Sequence, residues 1–369
     1  MSETNFLDEF RNSEITRALA DILKRCDGAP VSIMEVCGTH TMALFRYGIR
    51  DLLPGSIRLV SGPGCPVCVT PVSFIDAAIE IAARKDVIAA SFGDLLKVPG
   101  SSSSLAQEKA GGADVRIVYS PLDVLNMAAE NPDKKVVFIS VGFETTAPVS
   151  ALTVLRAQEN DLRNFSVLSA NKTMPAALKL LAKERLSGDG PSKLDGFLYP
   201  GHVSAITGTA MYDELSEDCG MPGVVTGFEP TDIIHALITL AGIIRRGESR
   251  VVNEYSRVVR KEGNPAALAK LYEVFEPCPA VWRGLGEIEG SGLKIRDKYG
   301  RFDAWKVFGV RASIGKEPAG CRCGDVLKGA VTPDACGLFD RACTPEKPIG
   351  ACMVSSEGTC AAYYRYGRR

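Results

Sequence analysis

Histidine is scarce in this chain, with only three among 369 residues. So few imidazoles exclude a metal site built mainly from histidine. No charge of one sign dominates either, since 43 lysines and arginines stand against 44 aspartates and glutamates, which gives no reason to expect nucleic acid or a membrane surface as a partner. Residues 1–25 lack the apolar segment of a signal peptide, and no later apolar run is long enough to span a bilayer. The sequence therefore predicts a soluble, cytoplasmic protein.

Cysteine, in contrast, is plentiful, with twelve in the chain. In the reducing cytosol cysteines rarely form a structural disulfide framework. Their number therefore indicates metal binding or thiol redox chemistry. Three of them, Cys26, Cys219 and Cys278, stand alone in ordinary surroundings, and we interpret these as packing residues.

Short β-branched runs alternate with helical patterns, which is typical of parallel α/β proteins. Eight strands are predicted, at residues 31–36, 57–60, 87–91, 115–119, 135–141, 165–170, 196–199 and 223–226. Because these exceed one ordinary sheet and the length suits two or three domains, we divide the chain into an α/β domain over 1–120, a second over 121–248 and a smaller region over 249–369. A repeated Gly-Phe-Glu, at 142–144 and 227–229, favours two related halves, although a recurring strand-to-helix turn explains it equally well.

Reactive residues follow the first three predicted strands. Cys37 and His40 lie in "EVCGTH", Cys65 and Cys68 in "SGPGCPVC", and Asp94 in "SFGD". In an open parallel sheet ligands bind beyond the carboxyl ends of the strands. We therefore expect these three loops to lie at one edge.

The Cys65-x-x-Cys68 pair has three interpretations. Thiolates at this spacing can hold two corners of a zinc site, which Cys37 and His40 would complete. A redox dithiol is the second interpretation, but such a motif usually opens a helix, whereas here the next helix is predicted to begin after Thr70. A soft-ligand iron site is the third. Spacing alone favours them in that order.

The C-terminal region carries six more cysteines within 40 residues: Cys321, Cys323, Cys336, Cys343, Cys352 and Cys360. Iron–sulfur clusters are typically held by four thiolates, so this set exceeds one cluster by two. A four-cysteine zinc knot is the alternative. The tail has no Cys-x-x-Cys pair, which disfavours an ordinary zinc ribbon or finger.

Several long motifs together resemble one known family. They are "MEVCGTHT", "SGPGCPVCVTP", "SFGD", "VGFETTAP", "YPGHVS", "GFEPTDI" and "CMVSSEGTCAAYYRYG". In this order, from about residue 30 onwards, they are similar to the HypD family, maturation factors for nickel–iron hydrogenases.

The resemblance implies a fold of two similar Rossmann-like α/β domains plus a smaller C-terminal region with a [4Fe-4S] cluster. It also implies a scaffold that carries iron while cyanide and carbon monoxide ligands are attached to it. The implied partners are a HypC-type chaperone, HypE as the cyanide donor with HypF upstream of it, and the hydrogenase large subunit, reached through HypC.

The resemblance also assigns residues. Cys37 would hold the iron with a cysteine of the chaperone, Cys65 and Cys68 would form a redox dithiol, and His40 and Asp94 would support the iron site or handle protons. The implied cluster ligands are Cys321, Cys336, Cys343 and Cys360, which leaves Cys323 and Cys352 as a second thiol pair. Glu357 either reaches the iron site or caps a helix. Two alternatives remain open: a general [4Fe-4S]-dependent thiol-disulfide oxidoreductase and a zinc-stapled binding module.

Overall fold

The computed structural model describes residues 12–187, 193–311 and 315–367, and only the backbone of 185–187. The first eleven residues of the predicted first domain lie outside this part of the chain. The strands are β1 (Val31–Glu35), β2 (Ile57–Ser61), β3 (Val87–Ser91), β4 (Asp114–Ile117), β5 (Lys135–Ser140), β6 (Phe165–Ser169), β7 (Gly196–Pro200), β8 (Gly223–Thr226), β9 (Val251–Asn253), β10 (Phe275–Trp282) and β11 (Gly286–Ile295). All eight predicted strands are therefore confirmed, and β9 to β11 are additional.

The helices mostly connect successive strands, as expected of an α/β protein. They are α1 (Ser13–Arg25), α2 (Gly38–Arg46), α3 (Pro66–Val69), α4 (Val72–Ala82), α5 (Gly93–Leu96), α6 (Leu105–Ala110), α7 (Asp123–Glu130), α8 (Ala147–Glu159), α9 (Met174–Ser187), α10 (Gly201–Thr207), α11 (Ala210–Cys219), α12 (Pro230–Arg245), α13 (Pro265–Val274), α14 (Ala304–Phe308), α15 (Cys323–Leu327), α16 (Ala351–Val354) and α17 (Thr359–Tyr366). No helix of the described residues is both long and apolar enough to cross a membrane.

The strands form two parallel sheets and one antiparallel hairpin. The first sheet has the order β2-β1-β7-β8-β9, the second has the order β4-β3-β5-β6, and β10 pairs with β11. Within both larger sheets every neighbouring pair is parallel. This arrangement confirms the α/β class and is consistent with two Rossmann-like domains.

The two sheets interleave along the chain. The chain leaves the first sheet between β2 and β3 and returns to it between β6 and β7. The predicted boundary at residue 120 falls between β4 and β5, which belong to the same sheet, and β9 lies beyond the second predicted boundary at 248. The sheets therefore do not follow the predicted division of the chain.

The Cys-x-x-Cys segment is helical, and the prediction of a loop there is wrong. Cys65 is the N-cap of the short helix α3, with Pro66 at its first position, and its sulfur accepts a hydrogen bond from the Cys68 amide at 3.2 Å. Thr70 ends this helix, and α4 begins at Val72 with Pro71 as its N-cap. Proline suits the first position of a helix because that residue needs no N–H partner.

The repeated Gly-Phe-Glu motif has a different role at each place. Glu229 forms a capping box with Asp232 at the start of α12, which satisfies backbone donors at that helix end. Glu144 instead accepts a hydrogen bond at 2.9 Å from the amide of Met174, the first residue of the distant helix α9. The Gly-Phe-Glu turn follows both β5 and β8, but its two carboxylates bind different partners.

Candidate functional site

The loops that follow β1 and β2 touch each other at the carboxyl edge of the first sheet. The Gly38 amide donates a hydrogen bond to the Gly64 carbonyl at 3.1 Å. A Cβ atom at Gly64 would lie 2.3 Å from the Cys37 nitrogen, so only glycine allows this approach. The predicted proximity of the Cys37 and Cys65 loops is thus confirmed.

The Cys37 thiol is enclosed by protein. The residue is the N-cap of α2 and is 7% exposed. Burial, with a smaller contribution from the Glu357 carboxylate, raises the pKa of Cys37 to about 12. The free thiol is therefore protonated at neutral pH, and a nearby cation would be needed to hold it as a thiolate.

The C-terminal segment folds back onto the Cys37 loop. Glu357 accepts a hydrogen bond from the Thr39 hydroxyl at 2.6 Å. A Cβ atom at Gly38 would lie 2.5 Å from the Glu357 Cβ, so the two segments are in close contact. Glu357 does not cap α17, whose N-cap is Gly358 without a side-chain bond. Of the two roles considered for Glu357, the structure favours contact with the Cys37 region.

Asp94 follows β3, which belongs to the second sheet, so the expectation that all three loops share one sheet edge is wrong. Its carboxylate nevertheless meets the same tail segment, since it accepts a hydrogen bond from the Ser355 hydroxyl at 3.0 Å. The Ser355 oxygen in turn accepts from the Glu357 amide at 3.2 Å. Asp94 therefore supports the segment that carries Glu357.

His40 is buried and faces away from solvent. Its Nε2 donates to the Gly227 carbonyl at 2.9 Å, whereas Nδ1 has no hydrogen-bond partner among the described residues. Burial lowers the pKa of His40 to about 4, so the ring is neutral at pH 7. A neutral imidazole with a free Nδ1 can accept a proton or a hydrogen bond.

His202 is a residue that the sequence interpretation missed. Its ring stacks on Phe228 at 3.9 Å, and Phe228 also contacts the His40 ring at 4.7 Å. Burial lowers the pKa of His202, and the nearby Glu357 carboxylate opposes this with a smaller effect. The signal was available, because "YPGHVS" follows β7, the neighbour of β1, at the same sheet edge.

Glu35 is a second residue that the sequence interpretation missed, and it lies at the end of β1, two residues before Cys37. Its fully buried carboxylate accepts from the Thr41 hydroxyl at 2.6 Å and from the Cys37 amide at 3.4 Å. Burial raises the pKa of Glu35 to about 7. The residue was overlooked because it lies within a predicted strand, where a carboxylate ordinarily faces solvent.

Cys65 and Cys68 are joined by a disulfide bond. Both are buried in an apolar cluster that also contains Phe143, Trp282 and four tail cysteines: Cys323, Cys343, Cys352 and Cys360. Helices α15 and α16, which carry Cys323 and Cys352, pack against α3. The disulfide and the tail thiols therefore occupy one continuous interior.

Arg283, at the tip of the β10–β11 hairpin, bridges α3 and the tail. It is 4% exposed, and its guanidinium donates to the Cys68 carbonyl at 3.0 Å and to the Thr70 carbonyl at 2.8 Å. It also pairs with Glu317, just before the tail cysteines. This buried cation stabilises the carboxyl end of α3, where helix carbonyls are otherwise unpaired.

The tail cysteines gather around a narrow cavity lined by five of them: Cys321, Cys323, Cys336, Cys343 and Cys360. The Cys323 thiol contacts the thiols of Cys321, Cys352 and Cys360. The contact between the two thiols lowers the pKa of Cys321 to about 7 and raises the pKa of Cys323. The contacts thus mix the predicted cluster ligands with the predicted second pair.

Within residues 12–187, 193–311 and 315–367, no three His, Cys, Asp or Glu side chains are arranged to hold a metal ion together. The iron site at Cys37 and the cluster in the tail therefore stay predictions.

Glu144 makes the stability of the protein depend on pH. Burial raises the pKa of this carboxyl to about 7, above its value of 4.5 in the unfolded chain, so the native state favours the neutral form. The stability that the protonated carboxyl contributes is fully present below pH 4.5 and is lost as the pH rises through 7. Between about pH 5 and pH 8, we expect wild type to lose up to about 3 kcal/mol of unfolding free energy relative to Glu144→Gln.

Urea unfolding of both proteins across this pH range measures the effect. Glu35 titrates over the same range but is present in both proteins, so its contribution cancels. Glu287→Gln, at an exposed strand position, is the matched control and should follow wild type at every pH. Parallel curves for wild type and Glu144→Gln would contradict the prediction.

Comparison with known proteins gives matches to one family over nearly the whole chain. The profile of the HypD family, described as "Hydrogenase formation hypA family", matches residues 13–367. The chain is 47% identical to "Hydrogenase maturation factor HypD" of Rhodobacter capsulatus, over 98% of each chain. It is 45% identical to "Hydrogenase expression/formation protein HupD" of Azotobacter chroococcum mcd 1, over 99% of this chain and 97% of the relative. Identity to the Escherichia coli K12 HypD is 43%, over 98% of each chain.

Among solved structures, a 2,3-dimethylmalate lyase matches with a TM-score of 0.15 and 12% identity, over 70% of this chain and 86% of that one. That likeness supports no conclusion. The near-complete sequence matches define a hydrogenase maturation factor. The chain belongs to the HypD family.

Proposed function

We propose that this protein is the scaffold on which iron receives cyanide and carbon monoxide ligands before it enters the large subunit of a nickel–iron hydrogenase. The observation that carries this proposal is the contact between the Cys37 loop and the loop that leads into the Cys65–Cys68 helix. This contact supports the proposal that a thiol that would hold iron lies close to a pair that would supply two electrons. Membership of the HypD family supplies the hydrogenase context.

Cys37 suits the role of iron ligand. A thiolate is a soft ligand, appropriate for iron that carries cyanide and carbon monoxide. Because burial holds the free thiol in its protonated form, the positive charge of incoming iron would favour loss of that proton. The enclosed site would also keep water from the iron. A cysteine of a HypC-type chaperone is the proposed second ligand.

The Cys65–Cys68 pair is the proposed electron source for cyanide attachment. A thiocyanate on a HypE-type donor, loaded by HypF, has a sulfur–carbon bond that must break. Two electrons from the two thiols release cyanide, and the donor sulfur leaves as a thiol. The pair becomes a disulfide and gives up two protons, one to the donor sulfur and one to a base. The disulfide present in the structure is the product form of this step.

His40, His202 and Glu357 are the proposed proton-handling groups. His40 offers an unpartnered Nδ1, and Glu357 bonds to Thr39 beside Cys37. Asp94 holds the Glu357 segment in place through Ser355. The role proposed for His40 is to relay the released proton and not to retain it, because burial lowers its pKa to about 4.

The tail is the proposed site of a [4Fe-4S] cluster, held by Cys321, Cys336, Cys343 and Cys360. Its four proposed ligands fit such a cluster because they are thiols that line one narrow cavity, with Cys343 and Cys360 buried and Cys321 and Cys336 partly exposed, and iron–sulfur clusters are held by cysteine thiolates. When bound, the cluster would supply single electrons for reduction of the Cys65–Cys68 disulfide. Cys323 and Cys352 are in contact, as a second thiol pair requires, although Cys323 also contacts Cys321 and Cys360.

A general thiol-disulfide oxidoreductase needs a disulfide that a protein substrate can reach. Here Cys65 is 3% exposed and Cys68 is fully buried. Attack by a bulky substrate thiol depends on access to the sulfur. The burial therefore favours the small thiocyanate group of a donor over the bulkier disulfide or thiol of a general protein substrate.

Infrared spectroscopy tests the proposal. The full chain, purified anaerobically together with a HypC-type chaperone, should show bands of metal-bound cyanide and carbon monoxide. The same chain expressed in cells without the cyanide donor is the control and should lack the cyanide bands. Absence of both kinds of band from the intact complex would argue against the scaffold. Colourless protein that contains zinc but neither iron nor sulfide would exclude the cluster.

A further inference from the structure

A second cavity lies at the carboxyl edge of the second sheet, away from the Cys37 loop. Its volume is about 240 Å³, and it lies between the segment after β6, the β10–β11 hairpin and the starts of α4 and α14. In open parallel sheets this edge is where ligands bind. The proposed function uses none of the residues that line it.

Lys172 supplies the chemistry of this cavity. The residue follows β6, lines the cavity and is only 3% exposed. Its ammonium donates one long hydrogen bond, 3.4 Å to the Ala170 carbonyl, and lies 5.9 Å from the centre of the Trp282 ring. No carboxylate of the described residues pairs with it. A buried cation without a counter-ion is costly, and proteins normally pair such charges.

The neighbouring titratable groups do not neutralise Lys172. Burial lowers the pKa of Lys172 to about 8, so it is still mainly protonated at pH 7. Burial also raises the pKa of Cys278, which keeps that thiol neutral. Lys294 adds a second positive charge at the rim and pairs with Glu276 at 2.9 Å. Asp303 accepts from the Trp305 amide at 3.1 Å and caps α14.

The remaining walls are mainly apolar. Phe74 and Trp305 form one side, and the hairpin residues Ala280, Leu293 and Ile295 form the other. A fully hydrated inorganic ion would find few polar partners on these walls. A ligand with an anionic head and a short aliphatic body would match both the lysine and the walls.

We propose that this cavity binds a small organic anion, whose carboxylate head pairs with the Lys172 ammonium and whose aliphatic body lies against the apolar walls. The inference rests on the cavity and its unpaired lysine, and it is independent of the proposed redox function. The Trp282 ring lies 5.9 Å from the Lys172 ammonium and stacks on Phe143 at 5.7 Å, and both aromatic residues belong to the apolar cluster that contains Cys65 and Cys68.

Tryptophan fluorescence tests this proposal, because the chain has two tryptophans: Trp305 lines the cavity, and the ring of Trp282 lies 5.9 Å from the Lys172 ammonium. Titration of the full chain with sodium butyrate should give a saturable change, with a dissociation constant of about 1 mM. Butylammonium chloride has the same number of carbon atoms with the opposite charge and should give no saturable change at equal ionic strength. Saturation by inorganic phosphate but not by butyrate would overturn the organic character of the ligand.

Two variants separate the lysine from general electrostatics. Lys172→Met keeps the length of the side chain and should weaken butyrate binding at least about tenfold, since a charge-assisted contact is lost. Lys294→Met removes the exposed charge at the rim and should change binding by less than about twofold. Equal affinity in Lys172→Met and wild type would overturn the proposal.

A measurement on wild type alone does not depend on how the variants fold. Cys278 lines the cavity and is a free, half-buried cysteine. Butyrate should slow its alkylation by iodoacetamide, as followed by peptide mass spectrometry, whereas butylammonium should not. An alkylation rate that butyrate leaves unchanged would overturn the proposal.

Discussion

Replacement of Cys37 with alanine is expected to abolish hydrogenase maturation and to leave the fold intact. The thiol is the proposed iron ligand, and loss of a ligand should cost at least about 100-fold, the upper range for loss of a group that merely supports a ligand. The packing cost is small, because alanine replaces a small side chain at a helix N-cap that makes no capping bond. Hydrogenase activity in cells that depend on this chain for maturation measures the effect.

The control for Cys37→Ala is Cys26→Ala. Cys26 is a free, partly exposed cysteine near α1, where it contacts Arg245, and its replacement should support normal maturation. Visible absorption of the anaerobically purified Cys37→Ala protein should match that of wild type, because the tail cysteines are untouched. Loss of both maturation and absorption would indicate misfolding, and full maturation by Cys37→Ala would contradict the assignment of Cys37 as the ligand.

Replacement of Cys68 with serine is expected to stop cyanide release from a thiocyanate-bearing donor. A single thiol at Cys65 cannot form the intramolecular disulfide and so cannot supply two electrons from this pair. The rate should fall at least about 100-fold, as for loss of a residue that acts in a catalytic unit. Reduced protein, freed of added reductant under anaerobic conditions, is mixed with the donor, and cyanide and the remaining thiols are counted.

Stoichiometry distinguishes the proposed role of the pair from a structural one. Wild type should lose two thiols, those of Cys65 and Cys68, for each cyanide released, as seen by alkylation and peptide mass spectrometry. Cys219→Ala, at a buried free cysteine of the same apolar cluster, is the matched control and should keep both rate and stoichiometry. Cyanide release by Cys68→Ser at the wild-type rate would refute the electron-donor role.

Short apolar runs were sufficient to predict the parallel strands, because the buried strands of α/β proteins are continuous apolar runs. It did not predict β10 and β11. The segment "FEPCPAVW" of β10 contains two prolines, which disfavour a strand unless it lies at an edge. The partition of strands between the sheets was also missed, since it depends on pairing between residues far apart in the sequence.

The candidate site was predictable where it depends on adjacent strands. Because β1 and β2 pair directly, the rule for sheet edges correctly brings the Cys37 and Cys65 loops together. The same rule failed for Asp94, since β3 lies in the other sheet. Glu35 was missed because a lone polar residue inside a strand carries no spacing signal, and His202 was missed because the pairing of β7 with β1 was not predicted. The fold-back of Glu357 onto Thr39 was left open, because a local sequence pattern cannot specify a contact across 318 positions.

The interleaved sheets set an order for folding during synthesis. Strands β3 to β6 are contiguous in the sequence, so the second sheet can form as soon as its residues leave the ribosome. Strands β1 and β2 pair with each other, but their sheet is completed only by β7 to β9, and its last pairing is at β9, Val251–Asn253. Such long-range parallel pairing is slow and leaves apolar strand edges exposed meanwhile. The nascent chain should therefore hold a completed second sheet beside a two-stranded fragment of the first, whose open β1 edge makes it a natural client for chaperones that shield strand edges.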